Sequence, residues 1–257
     1  MGRFATTAEL YEEYRPPYPA EFFQAVAQRL TLSRQQSLID LGTGPGLLAL
    51  GFAAYAGRVV GVDPEPNMLA AARATAARAG ADVTFVAGRA EDLPGTIGSF
   101  NVVTIGRALH WMDHDVLGSL FARLVARDGA IVVCTSSSVR DGRNPWLEDY
   151  NAARRNWSDA GLLRDADKGA RTHRNLADVL GPAGFGVVET VNVETTHEVS
   201  ARNLAWRVLT FSSSSPAALG DRVDAMLTDM EGRLRPFSRD GVLAETVVAT
   251  ADIARRL

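Results

Sequence analysis

The stretch LIDLGTGPG at residues 38–46 constrains most what this chain can become. Leu38 and Ile39 end an apolar run that reads as a buried strand, and Asp40 leads into a turn with glycine at 42, 44 and 46. Behind the turn, LLALGFAAYAG stays apolar for the length of a helix and stops at Gly57. Strand, glycine turn and helix are the first half of a βαβ unit. Glycine lets such a turn take positive φ and lets a ligand approach the backbone. The helix start adds free N–H groups and partial positive charge. Taken alone, the stretch fits an ordinary βα turn as well as a ligand-binding one; the residues downstream decide.

Strands and helices alternate along the chain. AEFFQAVAQRL places Phe22, Phe23, Val26 and Leu30 on one helical face. Arg58–Val62 reads as a second parallel strand ending in Asp63, about 20 residues past the glycine turn, where an acid can receive both hydroxyls of a ribose. Asp63 is also placed to cap the next helix, MLAAARATAARAG. ADVTFVAG is a third strand, leading to Arg89-Ala90-Glu91-Asp92-Leu93-Pro94. Phe100–Ile105 is a fourth, whose C-terminal end faces the same crevice as Gly44 and Asp63 in a doubly wound sheet. The loop Gly106–Asp113 follows it, carrying Arg107, His110 and Trp111. VLGSLFARLVARDG is expected to be a helix stopped by its glycine, and AIVVCTS a fifth strand with Cys134 in the core. Residues 136–172 turn polar, with Trp146, Tyr150 and Trp157 spread along a helix, as in an insertion that caps the crevice. NLADVLGPAGFG reads as a helix closed by Gly-Pro, and Val187–Val199 alternates as a half-exposed strand does. Residues 200–240 form a second, helical insertion, and the last run starts as a strand. Five strands alternating with helices, then two without a full crossover, fit a mostly parallel sheet with an antiparallel edge hairpin.

Composition excludes more than it selects. A chain of 257 residues holds one well-buried domain with a small cap, or two small domains. A net charge of −3 without a basic stripe argues against a nucleic-acid partner. Cys134 is the only cysteine, which excludes an internal disulfide and any multi-cysteine metal site; no metal is expected. No apolar run approaches the ~18 residues of a membrane span. The N-terminal MGRFATTAELYEEYRPPYP has no apolar signal core. A cytoplasmic protein without a membrane partner is the expectation, as monomer or homodimer.

Glycine spacing separates two ligands. The dinucleotide fingerprint G-x-G-x-x-G would need its third glycine at 47, which is Leu47. The chain reads D-x-G-x-G-x-G, a form that resembles motif I of class I S-adenosylmethionine (SAM)-dependent methyltransferases. With YRPPYP at 14–19, VVGVDPEPNMLAAAR at 59–73, GRAEDLP at 88–94 and ALHWMD at 108–113, residues 14–135 resemble the broad methyltransferase-11 family. Its members of this type include trans-aconitate methyltransferase-like and natural-product tailoring enzymes. The resemblance implies an α/β fold, a Rossmann-like doubly wound seven-stranded sheet of order 3-2-1-4-5-7-6, the last strand antiparallel, with helical cap insertions. It divides the chain into an N-terminal lid and helix (1–35), a SAM-binding core (36–135), a cap insertion (136–172), a core helix and strand (173–199), a second cap insertion (200–240) and a C-terminal core strand (241–257).

It also implies SAM as cofactor and S-adenosylhomocysteine as product. Gly42, Gly44 and Gly46 shape the methionine side, with Asp40 suited to its ammonium; Asp63 takes the ribose; Ala90, Glu91 and Asp92 hold the adenine. Thr43, Pro64, Met68 and Gly106 are counted with them as cofactor-binding. Tyr14 and Arg15 are expected to close over SAM, the arginine pairing with its carboxylate. Arg89 stands where the usual G-D-A-E-x-L-P has its first acid, so Glu91, Asp92 and a backbone-only contact from Ala90 all stay open for the adenine amine.

Methyl transfer from a sulfonium is an in-line displacement, in which orientation alone contributes roughly 7–11 kcal/mol. A base is needed only for an acceptor protonated at neutral pH. His110 is the first choice for it and His173 the second; the alternative for His110 is to wall the pocket and hold its loop. Arg107, Trp111, Trp146 and Tyr150 are expected around the acceptor with His110, and Trp157 beside them, although burial within the cap accounts for the aromatics equally. Arg107, Arg154 and Arg155 suit an anionic acceptor. The function expected is methylation of a small-molecule acceptor at O, N or C, in secondary metabolism. The alternative is a SAM-binding cyclase or decarboxylase, or a pseudoenzyme, on the same fold.

Overall fold

The computed structural model describes residue 10, residues 13–158, residue 160 and residues 176–257; His173 lies outside the described residues. The strands are β1 (Ser37–Leu41), β2 (Arg58–Asp63), β3 (Thr84–Ala87), β4 (Phe100–Gly106), β5 (Val125–Ser138), β6 (Phe185–Ser200) and β7 (Val242–Arg256). The helices are α1 (Ala20–Arg29), α2 (Leu47–Phe52), α3 (Pro66–Ala79), α4 (His114–Leu124), α5 (Leu147–Trp157), α6 (Leu176–Leu180), α7 (Ala201–Arg207), α8 (Pro216–Leu219) and α9 (Val223–Leu234). The strands form one seven-stranded sheet in the order β3-β2-β1-β4-β5-β7-β6, the Rossmann-like arrangement expected. From β3 through β5 every neighbouring pair is parallel. Thr190 bonds Asp252 at 2.6 Å, Thr250 bonds Asn192 at 2.7 Å and Thr196 meets Thr246 at 2.9 Å. Position rises along β6 as it falls along β7, so these two run antiparallel.

The chain packs as two compact units. The core unit takes residues 18–135, 176–193 and 249–257. Its strands are buried on both faces, which is why they read as nearly continuous apolar runs. Leu38, Val102 and Val132 pack with Phe22 and Phe52, whereas their neighbours Ile39, Val103 and Ile131 pack with Leu117 and Phe121. Helix α3 ends as its sequence demands, with Gly80 at φ 60° in the left-handed C-terminal position.

Two helices stop earlier than their apolar runs. α2 ends at Phe52 because the Arg34 guanidinium donates to the carbonyls of Ala53 and Ala56, at 2.8 and 2.7 Å. Gly57 then passes so close to Arg34 that an added Cβ would lie 1.8 Å from its carbonyl oxygen. α4 ends at Leu124, not at Gly129, because Val125 turns extended and enters β5 in register with Phe100. A buried β-branched residue gains more on the sheet than in a last helical turn.

The second unit takes residues 10, 13–17, 136–158, 160 and 194–248 among those described. Its core joins Trp146 and Tyr150 on or beside α5 to Leu204 and Ala205 of α7, Met226 and Met230 of α9, and Leu243. Under that core lies Glu245, fully buried. Arg207 grips it with both terminal nitrogens, at 2.6 and 2.8 Å, Ser138 donates at 2.6 Å, and His197 lies at 3.3 Å. Burial works to raise the Glu245 pKa, but the Arg207, Ser138 and His197 contacts outweigh it and hold the carboxyl below its ordinary value.

A depressed folded pKa stabilises above the unfolded value and ceases to do so as pH falls through the folded one. Removing one partner of such a pair leaves the other charged and buried. Glu245→Gln is therefore expected to lower unfolding free energy by about 3–5 kcal/mol at pH 7, and to flatten the acid limb below about pH 4. Urea titrations across pH check both.

Candidate functional site

The site is built at the carboxyl ends of β1, β2 and β4. Pairing sets Asp40 opposite Gly61 on one side and opposite Thr104 on the other. Asp40 is 1 % exposed. One of its oxygens accepts from Thr43 Oγ1 at 2.6 Å and the other from Thr104 Oγ1 at 2.8 Å. Gly61 leaves room for this, since a Cβ there would sit 2.9 Å from Thr43 Oγ1. Burial pushes the Asp40 pKa up to about 6, against the lowering effect of its hydrogen bonds and with added repulsion from Asp63.

Gly42, Gly44 and Gly46 all have positive φ, at 69°, 54° and 91°. Gly42 is pressed on the loop after β4; its missing Cβ would meet the Ala108 Cβ at 2.4 Å. Gly44 differs, for a Cβ there would meet nothing within 4 Å. Its left-handed backbone calls for glycine, and the space beside it is open. Its amide donates to Asp63 Oδ2 at 2.8 Å, while Asp63 Oδ1 accepts from Glu65 N at 2.9 Å. Asp63 thus ties the glycine turn to the start of α3 and still has lone pairs to offer. Burial raises its pKa, and the Glu65 and Gly44 amides restrain the rise.

Of the other expected cofactor residues, Met68 and Ala90 are buried and Pro64 and Asp92 are exposed. Glu91 accepts from Arg89 Nη2 at 3.0 Å and from the Asp113 amide at 2.8 Å, both through Oε1. Burial would raise its pKa, but these bonds hold it below the ordinary value. Its carboxylate fastens the loop after β3 to the start of α4. Gly106 ends β4, where a Cβ would strike Leu48 at 2.7 Å. Beyond it Arg107 takes a left-handed φ of 56° and lies over the Tyr18 ring, 5.2 Å from its centroid. Leu109 anchors the turn Leu109–Trp111 in the core, leaving His110 half-buried and Trp111 40 % exposed, their ring centroids 4.8 Å apart.

Tyr14, Arg15, Trp146 and Tyr150 belong to the second unit and are engaged there. The Tyr14 ring lies 5.9 Å from that of Trp206. Arg15 donates to the Thr210 carbonyl at 2.9 Å through Nη2. Trp146, expected to wall a pocket, is a core residue: it is 1 % exposed and its Nε1 donates to the Ala244 carbonyl. Trp157 spends its Nε1 on Asp229, at 2.7 Å. Thr104 is the residue that the sequence reading missed. Its signal was a lone hydroxyl in the apolar run VVTIG, but only the β1–β4 register puts it beside Asp40. Among the described residues no helix is long and apolar enough to cross a membrane.

Residues 38–129 match the family described as "Methyltransferase domain". The uncharacterized methyltransferase Rv3342 of Mycobacterium tuberculosis is 30% identical over 146 residues, which is 57% of this chain and 56% of that one. The match spans about half the length of such curated relatives, between 48% and 58% for the leading ones. Among solved structures, a provisionally assigned type II methyltransferase from Anaeromyxobacter dehalogenans superposes with a TM-score of 0.65 at 21% identity, covering 95% of this chain and 98% of that one. A SAM-dependent methyltransferase from Geobacter sulfurreducens in complex with S-adenosyl-L-homocysteine gives 0.55 at 20%, covering 96% of each. The [4+2]-cyclase SpnF gives 0.51 at 19%, covering 90% of this chain and 79% of that one. At these identities the structures establish the shared fold.

Because the folded pKa of Asp40 is raised to about 6, the native state binds a proton more tightly than the unfolded chain, and stability falls as pH rises from about 4 to 6. Asn in its place keeps both hydroxyl contacts, since Thr hydroxyls rotate to donate or accept. Asp40→Asn is expected to remove that slope and to leave the ligand-free protein more stable at pH 8, by up to about 2–3 kcal/mol. Denaturant titrations at pH 4, 6 and 8 test this; an unchanged slope would assign it elsewhere.

Proposed function

We propose that this chain, whose residues 38–129 carry a methyltransferase domain of the class I SAM-dependent kind, binds SAM at the carboxyl ends of β1, β2 and β4 and methylates a small-molecule acceptor. The observation that carries the reading is the open space beside Gly44 with a buried acid on either side of it, Asp40 and Asp63. Burial raises the pKa of both, so a positively charged ligand would relieve both at once. A pyrophosphate would instead add negative charge next to them. The donor set fits SAM, which bears an ammonium, a sulfonium and a ribose diol.

When bound, SAM supplies a methyl group already activated at sulfur. The protein's part is then alignment and exclusion of water. Asp63 is fixed by two backbone amides and accepts from ribose hydroxyls with its remaining lone pairs. Asp40, whose oxygens are both taken by threonine hydroxyls, acts on the methionine ammonium through its charge and by holding the turn. Glu91 spends only Oε1 on Arg89 and Asp113, so the adenine contact falls to Glu91, to Asp92 or to the backbone near Ala90. His110, half-buried beside Trp111, is the group to take a proton from a phenol, alcohol or ammonium acceptor. The relatives' and neighbours' descriptions favour methylation over the cyclase alternative, and a product heavier by one CH₂ separates the two.

Asp63→Ala is expected to weaken S-adenosylhomocysteine binding at least tenfold, about 1.4 kcal/mol or more. Absence of binding by the unmutated protein in calorimetry would overturn the reading. His110→Ala is expected to lower turnover by ~10²-fold or more with SAM affinity kept; a turnover unchanged across pH would make His110 a holder of its loop.

A further inference from the structure

Thr104 carries a hydroxyl that its strand does not need. It is fully buried in β4, between Val103 and Ile105, which are buried too. A valine would fill the same space with the same branching at Cβ and the same preference for a strand. The hydroxyl has one proton and two acceptors within reach, Asp40 Oδ1 at 2.8 Å and the Ile39 carbonyl at 3.5 Å. The shorter contact takes the proton while Asp40 is ionised. Once Asp40 gains a proton, the hydroxyl can turn to accept from it and donate towards Ile39 instead. Thr43 answers the other carboxylate oxygen from the glycine turn, at 2.6 Å. Two further titratable groups act with Asp40: Asp63 at the end of β2, and the buried Cys134 thiol of β5. Arg107, after β4, acts on that thiol with the opposite sign.

Burial and the repulsion of Asp63 both work against a charge on Asp40, so that charge depends on what donates to its two oxygens. Thr43 donates from the turn that follows Asp40, whereas Thr104 donates from the neighbouring strand, brought opposite Asp40 by the pairing of β1 with β4. We propose that Thr104 is a positioning residue for the methyl donor: its hydroxyl keeps Asp40 ionised and fixed against the glycine turn, and so sets the lowest pH at which the cationic end of SAM is held. This rests on the proposed binding of SAM for the ligand, and on the β1–β4 geometry for the hold on Asp40. Without the hydroxyl, Oδ1 is left unpaired in a buried place, and the acid keeps its proton up to a higher pH. A cationic ligand then has to displace that proton, so affinity is lost only where the acid is protonated.

Calorimetry with S-adenosylhomocysteine on the full chain, repeated across pH, tests it. Thr104→Val and Thr104→Ala lack the hydroxyl, and Thr104→Ser keeps it. Relative to the unmutated protein, Thr104→Val is expected to bind equally well near about pH 8.5 and about tenfold more weakly near about pH 5.5, as for an acid whose pKa has risen by about one unit. Thr104→Ala should show the same widening gap. Thr104→Ser should follow the unmutated protein at every pH, whatever the lost methyl does to its melting temperature. With Asp40→Asn already in place, Thr104→Val should have no pH-dependent effect. A misplaced strand would weaken binding evenly, so a gap of one size at every pH overturns the proposal. So does no gap at all, or a widening gap that persists with Asp40→Asn. Denaturant titrations judge the hold on Asp40 without any ligand: the stability of Thr104→Val is expected to go on falling for about one pH unit beyond the point where the unmutated protein levels off. If the unmutated protein binds no S-adenosylhomocysteine, the methyl-donor reading fails, and an unshifted stability slope in Thr104→Val would overturn the hold of Thr104 on Asp40 as well.

Discussion

The core unit depends on a carboxylate placed where water does not reach it. Asp40 would be intolerable at the end of a buried strand were its oxygens not bonded to Thr43 and Thr104. Hydrogen bonds to a charged group are worth roughly 1.5–3 kcal/mol each, and these two join β1, the glycine turn and β4. With the turn so pinned, Gly42 meets Ala108 and Gly44 faces Asp63. The open space beside Gly44 is then bounded by groups that cannot drift independently. A methyl donor demands such a frame, because a displacement at carbon fails when donor and acceptor fall out of line.

The two units solve the burial of an acid in opposite ways. Glu245 is answered by a full positive charge, and its pKa falls. Asp40 is answered only by hydroxyl dipoles, and its pKa rises to about 6. A guanidinium closes the matter within the protein; hydroxyls orient the charge without cancelling it. The first arrangement suits a structural joint between Ser138, Arg207 and β7. The second leaves negative potential at the crevice, which the proposed binding of SAM would use. The opposite pKa shifts of the two acids follow from which partner each one has.

Much of the core was legible because its information is local. Glycines at 42, 44 and 46 needed only their spacing to announce left-handed turns, and strands buried on both faces announced themselves by unbroken apolar runs. Helix ends were misread where the deciding residue is distant. Nothing near Phe52 says that Arg34 will take the carbonyls of Ala53 and Ala56. Nothing near Leu124 says that Val125 will find Phe100 on the neighbouring strand. Within the site, Asp63 was legible from its place at a strand end, whereas Thr104 became visible only through register. Trp146 stayed open between pocket wall and cap core for a general reason: a tryptophan in a polar insertion fits either until the insertion shows a core of its own.

That core also explains why the second unit is the hardest part to read from sequence. The second unit is assembled from three stretches far apart in the chain, so no short motif can describe it. Arg15, Tyr150, Arg207 and Phe211 come from all three of these stretches, and their meeting is a property of packing alone. The family match, by contrast, is confined to residues 38–129. A donor shared by many enzymes selects for the same local turn each time, whereas an acceptor peculiar to one enzyme needs only some set of side chains held in the right place.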